Sequence, residues 1–200
     1  MKKILLIYSG GTIGMIKDNV KNTLVPFNFD KILEASPDLN SENISLSNIC
    51  TKNPIDSSNM SPDNWVEITN LLNDNYDAYD GFVVLHGTDT MAYSAAALAF
   101  QLPEISNPVV FTGAQRSPDR PSSDAHLNLV GAAKTAMSDL GEICIAMHET
   151  TDDKNVAIWR GNRTRKTHSS MRNAFSSPNE GPIGIVNDKI EWKRKYKSTS

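Results

Sequence analysis

Short apolar runs rich in Ile and Val recur along this chain and alternate with stretches of helical pattern. Each run has the length of a strand, and the segments between the runs are long enough to hold a helix. Strands that are apolar on both faces are typical of a parallel sheet covered by helices on each side. We therefore predict an α/β fold with a mostly parallel sheet flanked by helices. The predicted strands are residues 3–8, 44–50, 81–86, 108–112, 142–147 and 183–186.

Helical patterning is clearest at residues 61–75, 90–102 and 122–138. The first of these begins with Ser61 and Pro62, which are favoured at a helix cap and in a first helical turn. Ligands of sheets that consist mainly of parallel strands bind at the carboxyl ends of the strands. We therefore expect the functional residues in the loops that follow the predicted strands.

Composition narrows the range of functions. With 39% hydrophobic and 22% charged residues among 200, the chain can bury the core of one globular domain. Its net charge of -3 gives no attraction to a phosphate backbone, and no apolar stretch approaches the roughly 20 residues of a membrane span. Two distant cysteines, Cys50 and Cys144, predict a cytoplasmic protein with reduced thiols. The four histidines have no metal-ligand spacing, so we expect no metal site.

The first predicted strand ends in Ser-Gly-Gly-Thr-Ile-Gly at residues 9–14. Paired glycines allow a tight turn and a close approach to a ligand, and Thr12 places a hydroxyl in that turn. A plain turn between strand and helix fits this segment as well. A nucleotide-binding loop does not, because the required glycine spacing and the Gly-Lys-Ser/Thr ending are missing.

Two further loops carry polar side chains. His-Gly-Thr-Asp-Thr at residues 86–90 places Thr88 and Asp89 at the end of a predicted strand. Asp89 or Thr90 alone would be explained as a helix N-cap, but one cap does not account for all three side chains. Asp-Ser-Ser at residues 56–58 precedes the first predicted helix, and taken singly it is typical of a capped loop.

Together and in this order, the segments 9–14, 56–58 and 86–90 resemble the L-asparaginase family, and the resemblance extends over about residues 3–190. The first hundred residues, and Arg-Gly-Asn-Arg-Thr at 160–164, are most similar to cytoplasmic type I asparaginases. Three other segments resemble the asparaginase-like D subunit of the archaeal-type glutamyl-tRNA(Gln) amidotransferase. They are residues 111–117, 119–124 and 165–168.

The resemblance implies that Thr12 is the catalytic nucleophile and that Thr88 and Lys166 form a supporting hydroxyl and amine pair. A threonine hydroxyl is a weak nucleophile until a base removes its proton. A lysine amine can accept that proton where burial and nearby positive charge favour its neutral form. Arg163 and Arg165 flank Lys166 in sequence and are candidates for that positive charge.

The resemblance also implies a binding site for a small-molecule amide substrate. Asp89 and Ser57 would hold the amino and carboxylate groups of the substrate. The resemblance also places Asp89 among the catalytic residues. Asp56 and Ser58 would lie beside them, and Thr88 would border the same site.

The chain departs from the family pattern in two places. Many family members have a tyrosine in the loop after the nucleophile, whereas residues 15–26 contain none and the corresponding place is near Leu24. Family members also have a second, smaller carboxyl-terminal domain. We expect residues 1–190 to form the amino-terminal catalytic domain and residues 191–200 to be a basic linker toward that second domain, which is absent from this chain.

Three functions remain open at this point. We favour hydrolysis of L-asparagine to L-aspartate and ammonia through an acyl-threonine intermediate, with no metal or cofactor, as the family resemblance implies. The full-length form would be a homodimer or homotetramer. The alternative is the glutaminase subunit of glutamyl-tRNA(Gln) amidotransferase, acting with a partner subunit. The third is a ligand-binding fragment without activity. Asparagine is favoured because the segment 56–58, which would hold the substrate, looks like that of type I enzymes. Arg116 and Arg120 are expected to pair with carboxylates rather than to bind RNA, since the net charge of the chain is -3.

Overall fold

A computed structural model describes residues 1–18, 23–26, 39, 43–118 and 120–199. The described residues form an eight-stranded sheet, whose strand order is β12-β11-β8-β7-β6-β5-β1-β4. The strands of this sheet are β1 (Lys2–Tyr8), β4 (Ile44–Cys50), β5 (Gly81–Leu85), β6 (Val109–Thr112), β7 (Ile143–His148), β8 (Val156–Arg160), β11 (Gly184–Val186) and β12 (Ile190–Trp192). Two small sheets pair β2 (Met15–Asp18) with β3 (Thr23–Pro26), and β9 (Arg165–Lys166) with β10 (Phe175–Ser176).

Strands β4, β1, β5, β6 and β7 are parallel neighbours, which confirms the predicted mostly parallel sheet. All six predicted strands are present, and each of their ends lies within one residue of its predicted position. The carboxyl ends of β1 and β5 lie side by side, with Tyr8 paired to Leu85. The next pair in the sheet is Leu85 with Thr112 of β6. The loops after these three strands therefore leave the sheet at one edge.

Within the described ranges, three α-helices cover the sheet: α1 (Pro62–Asn75), α2 (Met91–Gln101) and α3 (Ala125–Ala136). Alternate residues of β1 face opposite ways, so Ile4 and Leu6 pack in the cluster that includes α3. Leu5 and Ile7 pack in the cluster that includes α1 and α2. This burial on both faces explains the unbroken apolar runs. The third helix begins three residues later than the predicted start at 122.

The end of the sheet formed by β8, β11 and β12 is antiparallel, which the sequence pattern did not indicate. Strand β8 runs antiparallel to β7, and β11 and β12 continue the same alternation. Strands β8 and β12 were not predicted. The predicted boundary between domain and linker at residue 190 lies within β12.

Residues beyond β12 also contact the domain. The Trp192 and Tyr196 rings lie 4.1 Å apart. Gly141 N donates to the Lys197 carbonyl oxygen at 2.6 Å, and Thr199 N donates to the Asp139 carbonyl oxygen at 2.6 Å. Residues 191–199 therefore follow the surface of the domain. No helix in the described part of the chain is long and apolar enough to cross a membrane.

Candidate active site

The turn that carries Thr12 is packed between two other loops at the carboxyl edge of the sheet. Gly10 has a φ of +124°, and an added Cβ there would lie 1.9 Å from the Ile55 carbonyl oxygen. Gly11 has a φ of +87°, and an added Cβ there would lie 2.4 Å from Gly87 N. Both positions therefore require glycine, for conformation and for space. Thr12, which follows them, is partly exposed.

Hydrogen bonds fasten this turn to the neighbouring strand ends. Ser9 donates to the Leu85 carbonyl oxygen from its N–H at 3.0 Å and from its Oγ at 2.9 Å. Ile55 N donates to the Ser9 carbonyl oxygen at 3.1 Å. The Tyr8 ring lies under Gly14, and burial raises the pKa of the Tyr8 phenol to about 12. The turn is thus held by Leu85, by Ile55 and by the ring of Tyr8.

Lys166 meets Thr88 and Asp89 at the end of β5. Lys166 Nζ donates to Thr88 Oγ1 at 3.0 Å and to Asp89 Oδ1 at 2.6 Å. The lysine side chain is only 10% exposed, whereas that of Asp89 is 64% exposed. The amine is therefore held in place on two oxygens, while the carboxylate remains accessible to a ligand.

The arginines beside Lys166 in sequence make their contacts elsewhere. Arg163 pairs with Glu180 at 3.3 Å, and Arg165 donates to the Thr164 carbonyl oxygen at 2.9 Å. In the described part of the chain, the groups that Lys166 Nζ contacts are a hydroxyl and a carboxylate. The suggestion that Arg163 and Arg165 place positive charge near the amine therefore stays a prediction, and the hydrogen bonds and ion pairs described for these arginines are made with Glu180 and Thr164.

Gln115 belongs to this cluster and was missed as a site residue. Thr88 Oγ1 donates to Gln115 Oε1 at 2.9 Å, and Gln115 Nε2 donates to the Met171 carbonyl oxygen at 2.9 Å. The signal was available, because Gln115 follows β6 and β6 pairs with β5. Arg116 in the same segment was expected to pair with a carboxylate, but its guanidinium donates to the Pro121 carbonyl oxygen.

The loop 56–58 combines a capping role with one residue that reaches the other loops. Asp56 caps the short 3₁₀ helix Ser57–Asn59, and its carboxylate accepts hydrogen bonds from Ser58 N at 2.9 Å and Ser58 Oγ at 2.8 Å. These bonds lower the pKa of Asp56. Ser57 is buried, and its Oγ would lie 2.5 Å from a Cβ added to Gly87. The Ser57 carbonyl oxygen accepts from Thr90 Oγ1 at 2.7 Å. Ser57 thus adjoins Gly87, while Asp56 and Ser58 are exposed beside it.

His86 lies in the core and contacts Gly87, which is part of the site loop. It is fully buried, and its ring lies 5.7 Å from that of Phe111. Its Nδ1–H donates to the Gly87 carbonyl oxygen at 2.7 Å, since a carbonyl can only accept. Burial lowers the pKa of His86 to about 4, although the bond to Gly87 acts in the opposite direction. His86 is therefore neutral near pH 7.

Two further expectations concern the rest of the site. Leu24, near the position of the family's loop tyrosine, lies in β3 opposite Lys17. Residues 19–22 between β2 and β3 lie outside the described residues. Within the described ranges, no group of three or more His, Cys, Asp or Glu side chains is arranged to hold a metal ion.

Comparison with known proteins connects this geometry to a family. A family model described as "Asparaginase, N-terminal" matches residues 3–198. The D subunit of glutamyl-tRNA(Gln) amidotransferase from Archaeoglobus fulgidus is 41% identical over 198 residues, covering 94% of this chain and 46% of that protein. The D subunit from Halobacterium salinarum is 43% identical over 189 residues, covering 92% and 43%. The chain thus spans about half the length of these curated relatives.

Solved structures of L-asparaginases have the same fold. The thermostable L-asparaginase from Thermococcus kodakarensis matches with a TM-score of 0.88 and 31% identity, covering 98% of this chain and 57% of that one. L-asparaginase I from Vibrio cholerae matches with a TM-score of 0.84 and 34% identity, covering 100% and 58%. The glycine turn, the contact between Thr88 and Lys166 and these similarities agree. The chain belongs to the asparaginase family and matches the model of its amino-terminal part over residues 3–198.

Proposed function

We propose that this chain is the amidohydrolase domain of a protein similar to the amidotransferase D subunits, and that it releases ammonia from the side-chain amide of glutamine. One observation carries the chemical part of this proposal. The largely buried Lys166 amine lies on Thr88 and Asp89, in the loop whose Gly87 packs against the turn of Thr12. A threonine hydroxyl in one loop therefore adjoins a second loop that holds a lysine amine, and amide cleavage through an acyl intermediate uses such a nucleophile together with a base.

In the proposed reaction, Thr12 Oγ attacks the amide carbon and neutral Lys166 takes up the hydroxyl proton. The protonated amine then returns this proton to the departing nitrogen, so that ammonia leaves and an ester to Thr12 remains. Water attacks the ester, and its proton regenerates the Thr12 hydroxyl. Backbone N–H groups of the Gly10-Gly11-Thr12 turn would stabilise the oxyanion, and such a donor is typically worth about 2.7–4 kcal/mol.

Substrate binding in this proposal depends on two loops. The exposed carboxylate of Asp89 would bind the α-ammonium group. One of its oxygens accepts from Lys166, and the other has no hydrogen-bond donor among the described residues. Ser57, which adjoins Gly87, would bind the α-carboxylate, with Asp56 and Ser58 beside it and Thr88 at the border. None of these steps needs a metal or a cofactor.

The relatives favour glutamine over the asparagine preferred in the sequence analysis. Both curated relatives above are named as D subunits of the amidotransferase, and each is more similar in sequence to this chain than either L-asparaginase structure. Hydrolysis of L-asparagine is the second candidate, supported by the structural similarity to L-asparaginases. In the role of a D subunit, the protein would pass its ammonia to a partner.

Ammonia release from L-glutamine and L-asparagine, measured with and without the amidotransferase partner subunit, tests the proposal. We expect a higher kcat/KM for glutamine, or glutamine activity that appears only with the partner and charged tRNA. A higher kcat/KM for asparagine under all conditions would replace the proposal with the second candidate. Binding of either amino acid without ammonia release would indicate a non-catalytic ligand-binding domain.

We also propose that the full-length protein is cytoplasmic and forms a homodimer or homotetramer. The similarity to a protein described as a probable cytoplasmic L-asparaginase, from Campylobacter jejuni, supports this location. Sedimentation of the full-length protein should give a mass of two or four subunits. A monomer with full specific activity would contradict the expected assembly.

A further inference from the structure

The loop after β6 is held rigidly beside the candidate site by one buried carboxylate. Asp124 is fully buried and accepts hydrogen bonds from Gln115 N at 2.9 Å, from Arg116 N at 2.9 Å and from Asn128 Nδ2 at 3.1 Å. Hydrogen bonds to an ionised acceptor are stronger than those between neutral groups. The backbone of Gln115 therefore has a fixed position relative to the end of β5.

The side chain of Gln115 is fixed as well, because both ends of its amide have partners. Nε2 donates to the Met171 carbonyl oxygen, which can only accept, so Oε1 must face Thr88. Thr88 Oγ1 then has to donate its one hydrogen to Gln115 Oε1. The lone pairs of Thr88 Oγ1 remain to accept a hydrogen bond from Lys166 Nζ, 3.0 Å away. Gln115 thus decides which way the Thr88 hydroxyl points.

We infer that Gln115 is a positioning residue that keeps the hydrogen of the Thr88 hydroxyl away from the lone pair of neutral Lys166. This inference rests on the proposed function, in which that lone pair takes up the proton of Thr12. A hydroxyl free to rotate would donate to a neutral amine at this distance and occupy its lone pair. With Gln115 in place, the hydroxyl accepts from the lysine but does not donate to it.

A structural role is the competing explanation, because Gln115 also links two segments that are 56 residues apart. The two roles predict different effects of substitution. Gln115→Glu keeps an acceptor for Thr88 and loses the donor to Met171, whereas Gln115→Met loses both. A purely structural role requires similar defects in the two variants and no change in the pH dependence of catalysis.

Gln115→Met should lower kcat by about tenfold, the effect of one hydrogen bond of ordinary net strength, with KM nearly unchanged. The Thr88 hydroxyl would then stabilise neutral Lys166, so the acid limb of the kcat/KM profile should move to lower pH. Gln115→Glu should move the acid limb to higher pH instead. In the wild type, Thr88 Oγ1 lies 2.9 Å from Gln115 Oε1 and 3.0 Å from Lys166 Nζ. A carboxylate at position 115 would therefore lie close to the amine and favour its charged form.

Gln101→Met is the matched control, because Thr69 Oγ1 donates to Gln101 Oε1 at 2.6 Å on the exposed surface of α1 and α2. It removes the same kind of pair and should leave kcat and the pH profile unchanged. Ammonia release is measured for all variants, with thermal unfolding to confirm that each is folded.

Three results would overturn the inference. They are wild-type kcat in Gln115→Met, shifts of both acid limbs in the same direction, and defects in the two Gln115 variants without any shift. Loss of activity in Lys166→Met together with wild-type behaviour of both Gln115 variants would refute this inference alone. A folded wild-type protein that releases no ammonia, or a fully active Lys166→Met variant, would refute the proposed function and the inference with it.

Discussion

The buried His86 makes the stability of this protein depend on pH in a defined window. Burial lowers the pKa of the folded-state imidazole to about 4, compared with 6.5 for an ordinary histidine. Below pH 6.5 the unfolded chain therefore binds a proton that the folded protein does not. The free energy of unfolding should fall as the pH decreases from 6.5 toward 4, and the contribution of His86 should be constant above this window.

The size of the effect follows from the gap between the two pKa values. One pKa unit corresponds to about 1.36 kcal/mol. The gap between 6.5 and about 4 therefore removes about 2 kcal/mol of stability at pH 5 and about 3 kcal/mol at pH 4. A loss of this size is a substantial fraction of the total stability of a typical domain, which is about 5–15 kcal/mol.

Urea unfolding of the wild type and of His86→Asn, at about pH 7 and about pH 5, measures this contribution. Asparagine keeps an N–H donor for the Gly87 carbonyl oxygen but does not titrate. The variant should lose about 2 kcal/mol less than the wild type between the two pH values.

Carboxylates with a lowered pKa, such as Asp56, also lose stabilising interactions at acid pH, but they do so equally in the wild type and in His86→Asn. The difference between His86→Asn and the wild type therefore isolates the imidazole. Equal losses of stability in these two proteins would refute the reasoning, because the folded state would then bind the proton at His86 as readily as the unfolded chain.

Other substitutions test the geometry of the site. Gly11→Ala should abolish ammonia release and lower the unfolding temperature, because its Cβ would lie 2.4 Å from Gly87 N, and unchanged thermal unfolding would contradict the close packing. Lys166→Met should reduce kcat by about 10²–10⁴-fold with little change in KM, as steady-state kinetics can measure, whereas a change in KM alone would make the lysine a ligand anchor. Asp89→Asn should mainly raise KM, since a substrate ammonium would lose its counter-charge, and an unchanged KM would remove Asp89 from substrate binding.

The parallel part of the fold could be predicted because its signals are local. Buried parallel strands are apolar on both faces, so each appears in the sequence as an unbroken run, as in β1 and β5. Once the strands were placed, the loops at their carboxyl ends followed. The approach of the Gly10-Gly11-Thr12 turn to Gly87 is a consequence of neighbouring strands in one sheet.

The antiparallel part of the sheet could not be predicted, because an apolar run does not indicate whether its strand is parallel or antiparallel to its neighbours. Strand β8 is a short run between polar segments, and its burial comes from pairing with β7 and β11. Strand β12 is only partly buried and has a charged residue at its centre, so its sequence resembles a loop. These strands depend on tertiary contacts that local pattern does not encode.

Site residues divide in the same way. The loops with Thr12, Thr88 and Asp89 were found from the sequence, since each follows a predicted strand. Lys166 was assigned through family resemblance alone, because it contacts residues 77 and 78 positions earlier in the chain. Gln115 was overlooked as a site residue although it follows β6, since its contacts are with Thr88, 27 positions earlier, and with Met171, 56 positions later. Contacts over such separations are set by the fold.

The identity of the acylated residue tests the central claim most directly. The protein is mixed with glutamine, or with asparagine under the second candidate, quenched rapidly in acid and digested, and the peptides are mapped by mass spectrometry. We expect an acyl ester on the peptide that contains Thr12, and no such ester in Thr12→Ala. An ester on Thr88 instead, or ammonia release by Thr12→Ala at the wild-type rate, would contradict it.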